Sequence, residues 1–274
     1  MSDNYNNYTN TSVRILPISI LKKCLVTLSV LSFCWSSQAA EIALIIDDMG
    51  NTKRDAQAFE LPAEVAFSIL PMTHLSERFS RRAASQRREV MLHIPMESLG
   101  GNQLGPGALT ADMSQAMLQQ TLKQALATVP DAIGVNNHMG SKLTQLTYPM
   151  HATMDFLIKH ELFFVDSRTT RYSKAESIAR DYGVLSIKRN VFLDHDRRME
   201  QIDAQFQRLI RLSKKYGFAV GIGHPYPQTI EYLKQALVDI KSKGVVLSPI
   251  SDLLRLQDMA LNPSKMDAQK AELD

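Results

Sequence analysis

Residues 41–50 of the 274-residue chain read EIALIIDDMG, an apolar run that ends in two adjacent acids and a glycine. The run EIALII has the length of a buried β-strand, and Gly50 allows the chain to turn away after it. Asp47 and Asp48 make each other costly to ionise unless a cation lies between them. The pair is therefore solvated in a loop, caps a helix over residues 51–59, or belongs to a metal and base site.

Apolar runs of strand length alternate with segments of helical periodicity along the rest of the chain. The candidate strands are residues 42–46, 65–70, 89–93, 132–136, 162–165, 184–187, 191–193, 218–222 and 245–247. The clearest helical pattern places Leu118, Leu122, Ala125 and Val129 at spacings of four, three and four residues, after a candidate cap at Thr110.

This alternation predicts the fold class. Continuously apolar strands that alternate with helices indicate a parallel sheet with helices over its outer face. We therefore predict an α/β fold, a single (β/α) barrel that is irregular or incomplete and has seven or eight strands. A doubly wound open sheet is the alternative. Residues 40–256 are predicted to form the barrel, and residues 257–274 a polar, disordered tail.

The first 39 residues have the pattern of a secretory signal peptide. Lys22 and Lys23 precede an apolar stretch over residues 24–35, and Ser37-Gln38-Ala39 offers small residues before a cleavage site. The apolar stretch is shorter than the roughly 20 residues that span a bilayer. We expect cleavage after Ala39, a periplasmic product and no stable membrane span after cleavage. An uncleaved anchor is the alternative.

The composition of the expected mature chain excludes some function classes. Both cysteines, Cys24 and Cys34, lie in the leader, so the exported chain has no disulfide and depends on its core and on any bound metal. The leader also contains three of the 31 basic residues and one of the 28 acidic residues, which leaves a nearly neutral protein. Such a balance argues against nucleic acid as a partner.

Polar clusters follow five of the candidate strands. They are Asp47-Asp48, His93, Asn136-Asn137-His138, Asp166 and His224. In a parallel barrel the loops after the strands open onto one face, where active sites form. The consistent position of the clusters at this end of the strands favours an enzyme.

The residue types in these clusters suggest a catalytic metal site. Asp48, His93 and His138 are able to converge on one cation and leave an open coordination position. Nitrogen and oxygen donors without thiolate favour zinc, cobalt or manganese. Asp47 is then free to act as the base. His224 lies between Gly223 and Pro225 and is placed to protonate a leaving group.

Four further residues are weaker candidates for substrate contacts: Glu97, Asn136, Asp166 and Arg168. Asp166 and Arg168 also fit a simple ion pair. The run Asp194-His195-Asp196 has a metal-like composition, but three adjacent side chains do not easily face one ion. It is therefore not assigned to the site.

Five ordered motifs resemble the divergent polysaccharide deacetylase family over residues 41–256. They are IIDDMG at 45–50, MLHIPME at 91–97, VNNHMGS at 135–141, FVDSRT at 164–169 and GHPYP at 223–227. The resemblance implies a deformed (β/α) barrel that removes acetyl groups from N-acetylated sugars with a bound metal. It implies Asp47 as the base and His224 as the acid. It also implies a metal site of Asp48, His93 and His138.

The sequence departs from the related classical carbohydrate esterases in two places. Those enzymes place both metal-binding histidines four residues apart, whereas His93 is followed at that distance by Glu97. The second histidine must then be His138. An Arg-Pro-Pro-Tyr type segment is also missing, so the groups that contact the oxyanion are not assigned.

The expected function is a periplasmic, metal-dependent carbohydrate deacetylase acting on an acetylated polysaccharide or a peptidoglycan-like glycan, most simply with zinc. The alternative from another class is a catalytically silent glycan-binding or envelope scaffold protein on the same barrel. Hydrolysis of another ester or amide at the same site is a third hypothesis. Metal content separates the first two, because a scaffold has no need of a stoichiometric transition metal.

Overall fold

A parallel sheet of nine strands forms the centre of the protein in the computed structural model, which describes residues 39–262. The strands are β1 (Ala40–Met49), β2 (Ala66–Ile69), β3 (Val90–Met96), β4 (Gly134–Met139), β5 (Phe163–Asp166), β6 (Ser186–Lys188), β7 (Val191–Phe192), β8 (Phe218–Gly223) and β9 (Val245–Leu247). Every segment that the sequence predicts as a strand overlaps one of them.

Eight of the strands follow one path through the sheet, in the order β6-β5-β4-β3-β2-β1-β8-β7, and β9 pairs with β1 as a branch. All of the pairings are parallel. Among the described strands β6 and β7 lie at opposite ends of the path, so the curled sheet stays open there. The predicted α/β class and incomplete (β/α) barrel are confirmed.

Residues 39–262 contain seven α-helices, of which six connect strands and the seventh follows β9. They are α1 (Ser76–Ser85), α2 (Gln115–Ala127), α3 (Thr147–Lys159), α4 (Ala175–Asp181), α5 (Met199–Tyr216), α6 (Pro227–Ala236) and α7 (Ile250–Leu261). Short 3₁₀ helices lie at Lys53–Glu60, Leu143–Gln145 and Ile240–Lys243. Among the helices between residues 39 and 262, none combines the length and apolar character that crossing a membrane requires.

Two apolar clusters cover the two sides of the sheet, and β1 contributes to both. Ile42, Leu44 and Ile46 belong to the larger cluster, which joins the outer side of the sheet to the surrounding helices. Ala43 and Ile45 belong to the smaller cluster on the inner side, which α7 covers. Successive side chains of a strand point to opposite faces, so burial on both faces explains why the strand is continuously apolar.

The structure excludes two of the alternatives for Asp47-Asp48 and corrects the predicted cap at Thr110. The helical segment after Gly50 is capped by Thr52, whose backbone N–H and hydroxyl both donate to the Asp55 carboxylate. Asp47 and Asp48 lie inside β1, so they are neither a helix cap nor a solvated loop. The cap of α2 is Ser114, whose hydroxyl accepts a hydrogen bond from Met117 N–H, while the Thr110 hydroxyl binds Asp112.

The prediction of a disordered tail from residue 257 is wrong for its first residues. Helix α7 continues to Leu261, and the Gln257 side chain donates a hydrogen bond of 2.8 Å to the carbonyl of Ser186. The contact fixes the last two turns against β6. The rest of the predicted tail, residues 263–274, and the predicted leader up to residue 38 lie outside the described residues.

A buried guanidinium stabilises the entrance to β2. Arg88 donates hydrogen bonds of 2.6–2.8 Å to the carbonyls of Leu61, Pro62 and Val65. Its carbon Cζ lies 4.2 Å from the centre of the Phe67 ring. Burial lowers the pKa of Arg88 to about 10, yet the group stays charged at neutral pH. Its neighbour Arg87 is exposed.

Replacement of Arg88 with glutamine is expected to lower the free energy of unfolding by about 3 kcal/mol, because three backbone carbonyls lose a charged donor. The matched control is Arg87→Gln, which removes an exposed charge and is expected to change stability by less than about 0.5 kcal/mol. Urea unfolding followed by circular dichroism measures both. Equal stability of the two variants would contradict this role of Arg88.

Candidate metal centre

Strand alternation directs six polar side chains to the inner side of the sheet, at the carboxyl ends of the strands. Their neighbours two residues earlier, such as Ile45 on β1, Met91 on β3 and Ile222 on β8, belong to the inner apolar cluster. Because side chains repeat every second residue, the polar residues that follow face the same side. They are Asp47, Ser68, His93, Asn136, His138 and His224.

A β-bulge adds Asp48 to this group. Ile46 pairs with Phe67 and Met49 with Ile69, so Asp47 and Asp48 together lie opposite the single residue Ser68. Such a bulge places two successive side chains on one face. The backbone of Asp48 has φ +58°, a left-handed conformation that aspartate tolerates better than most residues. Regular alternation would have sent the second carboxylate to the outer side.

Three potential ligand atoms form a small triangle. Asp48 Oδ1 lies 3.1 Å from His93 Nε2 and 2.9 Å from His138 Nδ1. The two imidazole nitrogens lie 3.2 Å apart. Tetrahedral zinc with bonds of about 2.0–2.1 Å separates its ligand atoms by about 3.3 Å. The triangle therefore fits three of the four ligands of such an ion.

The hydrogen bonds of His93 identify which of its nitrogens faces the triangle with a lone pair. Asn136 Nδ2 donates to Asp47 Oδ1 over 2.7 Å, which turns Asn136 Oδ1 toward His93 Nδ1, also at 2.7 Å. The Ser68 hydroxyl donates to the same amide oxygen. His93 Nδ1 must therefore carry the proton in the neutral ring, and Nε2 presents its lone pair to Asp48.

The electrostatics of the triangle favour the binding of a cation. Burial acts to raise the pKa of Asp48, but interactions with His138 and His93 hold it far below its ordinary value. Burial acts to lower the pKa of His93, but Asp47 and Asp48 raise it above its ordinary value. The buried Asp48 Oδ1 also has no well-formed hydrogen bond from any described residue. The centre thus attracts a positive charge, and the donor set fits a divalent metal ion.

Asp47 is the carboxylate of the Asp47-Asp48 pair that is not part of the triangle. Its Oδ2 lies 3.7 Å from His93 Nε2, and its Oδ1 accepts the hydrogen bond from Asn136. The side chain is fully buried, and this burial raises the pKa of Asp47. A carboxylate with a raised pKa is a better proton acceptor at neutral pH than an ordinary one.

His224 faces Asp47 and Asp48 from β8 and is oriented by Asp194. Asp194 accepts hydrogen bonds from the backbone N–H of His224 and from its Nδ1, at 2.6 and 2.8 Å, and one from the Thr229 hydroxyl. Burial acts against the charged ring, but Asp194 raises the pKa of His224 to about 9. The ring therefore carries both protons at neutral pH, and the Nε2 proton points toward Asp48, 3.9 Å away.

Sequence analysis missed Asp194 and Ser68. The run Asp194-His195-Asp196 was set aside because its three side chains do not share one ion, and the structure shows that only the first of them takes part. Its position in the sequence could have identified Asp194, because this residue follows the apolar run 191–193 just as the other site residues follow apolar runs. Ser68 lies within an apolar run and gave no signal.

The positions of Asn136 and Asp166 do not suit the predicted role of substrate contacts. The Asn136 side chain is fully buried, and both of its polar atoms are bound by Ser68, His93 and Asp47, so it orients the site. Asp166 is buried, and its Oδ1 accepts the backbone N–H of Arg168. Asp166 follows Phe164 of the outer cluster, which directs it away from the inner side.

Arg168 and Glu97 stay predictions as substrate contacts. Arg168 is partly exposed, with its guanidinium 4.0 Å from Asp166. The Glu97 carboxylate accepts hydrogen bonds from Ala111 N–H and from the Lys142 ammonium group. These bonds fasten the base of the glycine-rich loop after β3, residues 99–107. Glu97 also lines a cavity of about 630 Å³ beside this loop.

A smaller cavity of about 210 Å³ opens directly onto the site. Asp47, His93, His138 and His224 line it together with Phe192, further residues of β4 and residues of the loop after β5. The volume is below the range of roughly 300–1,000 Å³ that accommodates drug-sized ligands. It therefore suits one substituent of a larger molecule.

The model of a family described as divergent polysaccharide deacetylase matches residues 44–254. This chain belongs to that family. The match covers the whole sheet except the first residues of β1, and it includes every residue of the triangle. The family that the five sequence motifs resemble is thus confirmed.

Two curated relatives cover most of the chain. An uncharacterised protein of Haemophilus influenzae is 36% identical over 226 residues, which is 82% of this chain and 81% of that protein. The uncharacterised protein YibQ of Escherichia coli is 34% identical over 217 residues, or 79% of this chain and 68% of that protein. The crystal structure of an uncharacterised Agrobacterium tumefaciens protein is similar in fold, with a TM-score of 0.76, 21% identity, and coverage of 79% of this chain and 90% of that one.

Removal of either histidine from the triangle is expected to abolish tight zinc binding. His93→Ala and His138→Ala should each weaken zinc affinity by more than about 100-fold, the upper end of the loss caused by altering an outer partner. Calorimetric titration with zinc and metal analysis of the purified protein measure the effect. The control is His74→Ala, which removes an exposed histidine elsewhere in the chain. Wild-type affinity in the first two variants would exclude the triangle.

Asn136→Ala is expected to weaken zinc binding by about 10–100-fold without removing a ligand, because His93 loses the partner that fixes its tautomer. A bound ion also stabilises the folded state by mass action, by about 2.7 kcal/mol when zinc is at 100 times its dissociation constant. The zinc-induced rise in melting temperature should therefore shrink in this variant. An unchanged rise would separate Asn136 from the metal site.

Proposed function

We propose that this protein is a metal-dependent hydrolase that removes N-acetyl groups from a glycan. The observation that carries the proposal is the arrangement around one cavity of three potential metal ligands, a buried carboxylate outside that triangle and a histidine whose Nδ1 is bound by a buried aspartate. Each of the three has a part in amide hydrolysis. Membership of a polysaccharide deacetylase family supports a carbohydrate substrate.

Asp48, His93 and His138 would hold the metal ion. The nitrogen and oxygen donors favour zinc, with cobalt and manganese as alternatives. Such an ion supplies a Lewis acid that acidifies a water molecule and polarises the acetyl carbonyl. Asn136 and Ser68 keep the His93 lone pair directed at this position.

Asp47 acts as the base. Its raised pKa and its place beside His93, without a direct part in the triangle, suit a carboxylate that takes a proton from the attacking water. The water oxygen forms a bond to the acetyl carbon as the proton passes to Asp47. Asn136 holds the carboxylate through Oδ1, which leaves Oδ2 to accept the proton.

His224 acts as the acid. Its Nε2 proton faces the cavity, while Asp194 binds Nδ1 and stabilises the charged ring. When the bond between the acetyl carbon and the sugar nitrogen breaks, this proton passes to the nitrogen and the amine leaves neutral. Acetic acid and an amino sugar are the products. The proton that acetic acid releases on becoming acetate restores the charged form of His224, and the proton on Asp47 returns to solvent.

The proposed setting is the periplasm, since the first 39 residues have the pattern of a secretory leader. The proposed substrate is an acetylated polysaccharide or a peptidoglycan-like glycan. A cavity of about 210 Å³ suits entry of one acetamido group while the rest of the sugar chain lies outside.

Asp47→Asn is expected to lower acetate release by at least about 100-fold, because the amide does not accept the proton of the attacking water. Zinc content should stay close to one ion per chain, because Asp47 is not part of the triangle. Acetate release from peptidoglycan and from chitin oligomers by the zinc-loaded protein is the assay. If the zinc-loaded wild type binds these glycans and releases no acetate, the silent scaffold is favoured.

Asp194→Asn is expected to lower kcat by about 100-fold or more with little change in KM, because His224 loses the partner that orients and charges it. Asp196→Asn is the matched control from the same loop, since Asp196 binds Arg198 and makes no contact with His224. Zinc content and the circular dichroism spectrum should be unchanged in both. An equal fall in kcat in the two variants would remove Asp194 from the mechanism.

A further inference from the structure

A row of stacked side chains forms the wall of the site that contains His224. The Phe192 ring centre lies 6.1 Å from that of His224, with the planes 25° apart. The Tyr226 ring lies 5.4 Å from His224 at 32°. Arg189 covers Phe192 at 3.7 Å, and Arg197 covers Tyr226 at 3.8 Å. Two aromatic rings thus lie beside His224, the proposed acid, and a guanidinium group covers each of these rings.

The first of the two arginines is engaged by the protein itself. Arg189 Nε donates a hydrogen bond of 2.6 Å to the carbonyl of Ser167, and Nη2 donates one of 2.9 Å to the carbonyl of Arg168. The side chain is partly buried. Arg189 therefore connects the loop after β5 to the strand pair β7 and β8, and this role accounts for its position.

The second arginine has no such partner. Arg197 is exposed, and between residues 39 and 262 no carboxylate or carbonyl forms a hydrogen bond or ion pair with it. Three acids lie within three residues of Arg197. Among the described residues Glu200, in the first turn of α5, forms no ion pair with Arg197, and the other two acids are occupied. Asp194 binds His224 and Thr229, and Asp196 accepts hydrogen bonds from Nε and Nη2 of Arg198.

Stacking prepares the Arg197 side chain for a ligand. A guanidinium group that lies flat on an aromatic ring keeps the N–H groups at its edge free, and these N–H groups match the geometry of a carboxylate. The contact with Tyr226 also limits the conformations of the side chain before anything binds. Less conformational entropy is then lost on binding than with a freely moving arginine.

We propose that Arg197 binds a carboxylate of the glycan, on a sugar next to the one whose acetyl group enters the cavity. The substrate class is therefore an acidic glycan that contains both N-acetyl groups and carboxylates. The inference rests on the proposed function for the placement of the acetylated sugar. The charge that Arg197 offers is unpaired in the described part of the protein, so a ligand carboxylate would neutralise it without breaking an existing ion pair.

Binding of two forms of one oligosaccharide tests the proposal. The probe is an oligomer of alternating N-acetylglucosamine and N-acetylmuramic acid, either with its lactyl carboxylates free or with all of them as methyl esters. Calorimetric titration at low salt uses the zinc-loaded protein with Asp47→Asn, which keeps the acetyl groups intact. The carboxylate form is expected to bind about fivefold more tightly, the effect of one exposed ion pair. The difference should shrink as salt is added.

Two neighbouring substitutions separate Arg197 from general surface charge. Arg197→Gln is expected to abolish the preference for the carboxylate form. Arg198→Gln, the matched control, removes an equal charge one residue away and should retain the preference, because Arg198 is bound by Asp196. Equal affinity of the starting protein for both forms, binding of neither form, or an unchanged preference in Arg197→Gln overturns the proposal.

Acetate release from the same two oligomers by the wild-type protein distinguishes this proposal from the proposed function. If carboxylate preference depends on Arg197 and neither oligomer loses acetate, the hydrolase proposal fails and the carboxylate site stands. If both oligomers lose acetate and bind equally well, the hydrolase proposal stands and the carboxylate site fails.

Discussion

The bulge in β1 is the constraint on which the site depends. It places Asp47 and Asp48 on the same side of the strand, opposite the single residue Ser68. Two carboxylates so close repel each other, and their burial adds to the cost of ionising both. Side chains that surround the pair offset this cost. His93 and His138 lie within hydrogen-bonding distance of Asp48 Oδ1, and Asn136 donates to Asp47.

The same bulge gives the two carboxylates different chemistry. Asp48 lies toward the solvent side and joins the triangle with both histidines, which lowers its pKa and keeps it anionic, as the proposed role of metal ligand requires. Asp47 is fully buried one residue earlier, and its raised pKa suits proton transfer. Asn136 connects the two roles, because one amide group fixes the tautomer of His93 through its oxygen and holds Asp47 through its nitrogen. A single hydrogen-bonded layer thus supports both the proposed ligands and the proposed base.

Sequence reasoning reached the fold and most of the site for one reason: in this protein apolar runs mark the strands, and polar residues cluster where these runs end. It did not reach the features that depend on side-chain direction. The bulge at Asp48 is not visible in EIALIIDDMG, and strands that are buried on both faces give no signal of which residues point inward. Asp166 and Asp194 both follow apolar runs, yet Asp166 faces outward and Asp194 binds His224. Nothing in the sequence around Arg88 predicts its burial, and only the structure shows that it lies against backbone carbonyls.

Asp48, His93 and His138 are proposed to hold one divalent metal ion. The most direct test is a crystal structure of the zinc-soaked protein with anomalous diffraction data collected at the zinc edge. One strong anomalous peak is expected, at about 2.0–2.2 Å from each of Asp48 Oδ1, His93 Nε2 and His138 Nδ1, with Asp47 outside the coordination sphere. The absence of a peak at this position under saturating zinc, or coordination by Asp47 in place of one of these three residues, would contradict this assignment.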